Sequence, residues 1–127
     1  MVIGKFDLRN VSKVVGTSPT AVAFGLEPVP TGMKRFFTFL DIHNKYGGEQ
    51  RLWVCSAAAS TTASTAALAS ATAKMRFLLQ TGDHLPIPPH GPTDPERPLF
   101  SIAADKYLAF HTDKGDAYVN FQFYDAS

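Results

Sequence analysis

Four histidines, His43, His84, His90 and His111, are the side chains of this sequence most suited to metal or proton chemistry. His84 and His90 share a region with Asp83, and imidazole with carboxylate is a common ligand set for divalent metals. Their spacing matches no established ligand signature, so turn or surface roles are expected of them, with no metal and no cofactor. Asp113 and Asp116 flank Lys114 and Gly115, a run far shorter than an EF-hand loop and without its twelfth-position Glu; turn chemistry is the expected role. Cys55 sits in LWVCSA with no adjacent charge to favour a thiolate, which reads as a small buried strand residue. No GxSxG elbow is present, and GLEPVPTGMK lacks the GK[ST] of a phosphate loop. No catalytic residue is assigned, although a triad assembled only in space leaves no trace in one sequence.

The exposed aromatics are a stronger lead. In AYVNFQFY, residues 117–124, Ala117, Val119, Phe121 and Phe123 fall on one face of a strand, and Tyr118, Asn120, Gln122 and Tyr124 on the other. Tyr beside Asn and Gln on a sheet face can stack on sugar rings or make the amphipathic contacts of a protein interface. Cover of this face by a second layer or a neighbouring subunit is expected ahead of ligand binding. Tyr118, Asn120, Gln122 and Tyr124 are the expected interface residues, together with Leu68 from the small-residue stretch described below.

The elements that must position these groups read as strands. Runs at 2–8, 21–26, 34–43, 50–57, 74–83 and 98–104 are rich in β-formers and punctuated by Pro and Gly. KYLAFHT followed by DKGD and AYVNFQFY predicts a β-hairpin over 106–124, with Gly115 at positive φ, and KYGG predicts another hairpin turn. HLPIPPHGPTDPERP, residues 84–98, carries six prolines and is expected to be a surface loop reaching adjacent subunits. SAAASTTASTAALASATA, residues 56–73, has no charge, aromatic or proline. Its nine alanines and the capping Ser60 or Ser64 favour a short helix or irregular excursion, while its threonines leave extended structure open. Either form offers a small-residue surface suited to close contact between elements or subunits.

At 127 residues with 45% hydrophobic residues and 10 Phe, the chain suits one folded domain over residues 1–127. The expected fold class is all-β: an antiparallel β-sandwich or jelly-roll-like barrel with a short Ala/Ser/Thr-rich helix. Twelve Lys+Arg against 11 Asp+Glu provide no broad attraction to phosphates or anionic lipid, so neither nucleic acid nor membrane is an expected partner. The single Cys excludes an internal disulfide framework. No signal-peptide pattern and no apolar run of about 18 residues occurs, so a soluble protein made in the cytosol is expected.

RLWVCSA, the Ser/Thr/Ala-rich excursion, LLQTGDHLPIP and the closing KYLAFHTDKGDAYVNFQFYDA occur in an order that resembles small virion-associated β-sandwich proteins of tailed bacteriophages. These include head decoration or cement proteins and fibre or tail-accessory modules. The resemblance covers about the last 90 residues and transfers no individual residue. It implies a non-enzymatic structural protein, often trimeric, that docks on a viral capsid or tail lattice and is assembled in the host cytoplasm. Two other classes stay open: a carbohydrate-binding β-sandwich using Trp53, Tyr118 or Tyr124, and a small metal-dependent β-barrel enzyme. The cupin type of such enzyme has an HxH cluster with a following Glu, which is missing here.

Overall fold

A computed structural model describes residues 7–15, 28–57 and 73–127. They form eight strands: β1 (Arg9–Val15), β2 (Lys34–Asn44), β3 (Gln50–Ala57), β4 (Ala73–Leu79), β5 (His84–Ile87), β6 (Phe100–Ile102), β7 (Tyr107–Thr112) and β8 (Ala117–Ala126). One antiparallel sheet, sheet A, has the order β1-β8-β2-β5, with β6 also paired to β2; the other, sheet B, has the order β4-β3-β7. The two pack together as a β-sandwich and do not close into a barrel.

Period-two patterning explains which faces meet. Ala117, Val119, Phe121 and Phe123 of β8 are buried, as are Leu52 and Val54 of β3 and Leu108 and Phe110 of β7. Phe121 of sheet A lies 5.7 Å from Phe110 of sheet B and 5.9 Å from Phe37, centroid to centroid, in the tilted geometries aromatic rings favour. Removing such a ring from a closed core costs about 3–5 kcal/mol.

The connectivity corrects both expected hairpins. β7 pairs with β3 and β8 pairs with β1 and β2, so DKGD carries the chain from sheet B to sheet A. KYGG likewise carries it from β2 in sheet A to β3 in sheet B, and Gln80–Asp83 returns it from β4 to β5. Repeated change of sheet between consecutive strands is the path of a double-sheet jelly roll. Gly115 does not have the positive φ expected; among the described residues the positive-φ glycines are Gly32, Gly82 and Gly91. What Gly115 supplies is space, because a Cβ there would lie 2.6 Å from Tyr46 Cδ1.

Two buried amides fasten these three crossovers. Gln50 donates through Nε2 to Asn44 Oδ1 at 2.8 Å and to the Asp116 carbonyl at 3.1 Å, and accepts from the Gly115 N–H at 3.0 Å. Asn44 donates to the carbonyls of Gly48 and Gln80 and accepts from the Tyr46 N–H. Every amide hydrogen of both side chains is used, which removes the cost of burying them.

Other boundaries differ from the sequence reading. The expected strand over 2–8 lies largely outside the described residues; Asp7 and Leu8 are not in a strand, and β1 begins at Arg9. The run at 21–26, the small-residue stretch from 58 to 72 with its predicted helix, and Leu68 also fall outside them. Within the proline-rich segment, residues 84–87 form β5 instead of loop, pairing with Leu40–His43 at a sheet edge, where Pro86 can be tolerated. The remainder folds back on sheet A: the Thr93 N–H donates to the Thr38 carbonyl and the Leu99 N–H to the Phe37 carbonyl, each at 2.8 Å. The bulge of β2 between Phe37 and Phe39 lies at this contact.

Candidate functional site

Directly paired residues of β1 and β8 share a face, so the inward Val119 and Phe121 leave Val14–Tyr118, Ser12–Asn120 and Asn10–Gln122 as three rows on the outer face of sheet A. These six residues carry no formal charge. Val14 is 55% and Tyr118 44% exposed, and they are neighbours across the strands. Lys45 Nζ sits 4.6 Å from the Tyr118 ring centroid, a cation–π contact at the margin. A shallow cavity of about 290 Å³ lies here, lined by Ser12, Lys13, Val14, His43, Tyr118 and Asn120.

β2 continues the face. His43 is paired with Tyr118 and with His84 of β5, whose ring lies edge-on at 3.7 Å between centroids. His84 Nε2 is 2.6 Å from Asp41 Oδ1, an ion pair when the imidazole is protonated. Asp83 accepts the Gln80 N–H at 2.7 Å, within the turn that leads from β4 to β5. Among the described residues, no three His, Cys, Asp or Glu side chains come together as a metal-ligand group.

Tyr118 and Asn120 occupy the outer face as expected, whereas Tyr124 requires correction as an exposed interface residue. It is 5% exposed, stacks on Phe36 at 5.2 Å between centroids and donates its hydroxyl to the Pro95 carbonyl. The folded-back proline-rich segment is thus the cover on this end of sheet A. Burial, with lesser contributions from Glu96 and Asp94, raises the Tyr124 pKa and keeps the phenol protonated. Gln122 is half-buried, and its side-chain oxygen accepts from Thr38 Oγ1 at 2.8 Å. It is held in place more firmly than a freely adaptable contact residue.

The outer face of sheet B is different in chemistry. Arg51 and Trp53 of β3 stand between Leu78 and Arg76 of β4 on one side and Asp113 and His111 on the other. Cys55 is a buried thiol outside any disulfide, clustered with Trp53, Ala57 and Ala109, in keeping with a packing role. His111 is 4% exposed; burial lowers its pKa, with Asp113 partly opposing the shift. Asp113 accepts the Arg51 N–H at 2.8 Å, and the Asp116 carbonyl accepts from Lys45 and Gln50, which makes both aspartates part of the crossover from β7 to β8.

Val14, Asp41 and the Arg51–Arg76 pair were not singled out from sequence, and His43 was noted only as one of four histidines, without a place on this face. Their grouping depends on strand register; the alternation in RNVSKVV offered a signal for Val14 alone. Among the described residues no helix is long and apolar enough to cross a membrane. No protein-family model, curated protein or solved structure matches the chain.

Proposed function

We propose that this chain is a non-enzymatic structural protein of a virus particle, a decoration or accessory subunit that self-associates and docks on a protein lattice. The observation that carries the reading is the uncharged β1–β8 face with Val14 and Tyr118 exposed side by side. Charge depletion and tyrosine enrichment characterise the centre of protein interfaces. The neighbouring Ser12, Asn120 and Asn10 can pair with one another's counterparts across a two-fold or three-fold contact. The jelly-roll path supports the reading at the level of architecture, since capsid proteins use it, as do lectins and cupins.

The mechanism is burial of this face against a second copy, which leaves other surfaces for the lattice. A stable contact needs about 800 Å² from each partner, and the flanking Lys45 and His43, which adjoin Tyr118, extend the face toward it. Density-gradient sedimentation with purified capsids tests the lattice part: co-migration of the protein with particles is expected, and protein left wholly at the top of the gradient contradicts it.

A further inference from the structure

The outer face of sheet B holds a second cleft, of about 560 Å³, lined by Arg51, Trp53, Arg76, Leu78 and Asp113. Three features of its chemistry are unmatched within the protein. Trp53 is 4% exposed, yet among the described residues its indole Nε1–H meets no acceptor, and the Nδ1 of neighbouring His111, 5.5 Å away between ring centroids, meets no partner. Buried donors without acceptors are uncommon and costly. Arg76, directly across the strand from Trp53, forms no ion pair among the described residues, and Arg51 reaches Asp113 only at 3.9 Å. Leu78, 50% exposed and cross-strand from Arg51, adds an apolar wall to the same cleft.

We infer that this cleft binds a carboxylate-bearing saccharide. The carboxylate lies between the two guanidiniums, whose planar forks suit bidentate contact with it. The indole N–H is the buried donor that a ring or carboxylate oxygen of the ligand satisfies. Asp113, at the opposite side, accepts a sugar hydroxyl and disfavours a second anionic group. Leu78 meets the apolar C–H face of the ring. The volume falls within the range of small-molecule sites. This inference goes beyond the assembly reading and uses the opposite sheet, so either can fail alone.

The test is titration calorimetry of the full chain with glucuronate, glucose and inorganic phosphate, at low and at raised salt. Saturable binding of glucuronate is expected, weakened by salt, with glucose about tenfold or more weaker. Arg76→Ala should weaken glucuronate about tenfold and Trp53→Phe, which keeps the ring but deletes the donor, about threefold or more. Lys34→Ala, on sheet A, should leave it unchanged. Thermal melts of each variant confirm that the fold is retained. The proposal is overturned if glucuronate does not bind at millimolar concentration, if folded Arg76→Ala binds it as the parent does, or if phosphate binds as tightly as glucuronate.

Discussion

Gln50 Nε2 donates to Asn44 Oδ1 at 2.8 Å, joining the first residue of β3 in sheet B to the last residue of β2 in sheet A. The same two side chains reach the crossovers at Gly48, Gln80, Gly115 and Asp116, so one end of the sandwich depends on them. Gln50→Ala strands the Gly115 N–H and removes donors from Asn44 and Asp116. A loss of about 3 kcal/mol in urea unfolding is expected. Hydrogen exchange should show the Gly115 amide losing protection before the core of β8 does.

Gly115→Ala places a methyl against the Tyr46 ring and should destabilise the protein by about 1–2 kcal/mol. Combining it with Tyr46→Ala removes the obstacle, so the double variant should be more stable than the sum of the single losses implies. A double-mutant cycle from melting curves measures that coupling.

The ion pair at the far end of β2 has its own pH signature. Arg35 contacts Asp125 through Nε at 2.7 Å and Nη2 at 2.9 Å, and Arg9 adds a third contact at 3.0 Å. Burial by itself would raise the Asp125 pKa; hydrogen bonding and charge from Arg35, then Arg9, outweigh it and hold the carboxyl below the ordinary aspartate range. A depressed carboxylate pKa means stability that is present above the unfolded value of 3.8 and lost as pH falls through the folded value. Asp125→Asn leaves Arg35 buried and should cost about 3 kcal/mol near neutrality. The difference from the parent should shrink in urea melts at acidic pH.

His111 provides the opposite residue type with the same direction of pH dependence. Its folded pKa is lowered by burial, against the pull of Asp113, so the unfolded chain takes up the proton first as pH falls below 6.5. Stability is therefore fully present above 6.5 and declines below it. His111→Gln should flatten the slope of unfolding free energy against pH between about pH 7 and 5, read from urea melts at each pH.

Much of this fold was legible in the residues, and the failures have a common cause. QRLWVCSA was expected as a strand at 50–57 and is β3 to the residue, and the two faces of β8 follow its alternation. Yet the Gly- and Asp-containing turns that suggest hairpins also serve crossovers, and local turn chemistry does not say which sheet receives the next strand. Asn44 and Gln50 attracted no expectation, because their partners come from separate segments of the chain. Tyr124 was misplaced for a related reason: alternation put it on the outer face correctly, but the cover from Pro95 depends on how a distant proline-rich segment folds back. The outer-face positions of Tyr118 and Asn120 were readable from alternation within one strand, whereas Trp53 and Arg76 meet through β3–β4 register.

The most direct test of assembly through the β1–β8 face is light scattering after size exclusion, with the parent chain and Val14→Glu run over the same dilution series. The parent should give a stable multiple of 13.8 kDa, a dimer or trimer, and Val14→Glu should shift toward the monomer while keeping its melting transition. A parent chain at 13.8 kDa throughout, or a folded Val14→Glu with the parent's oligomeric mass, would contradict self-association through this face.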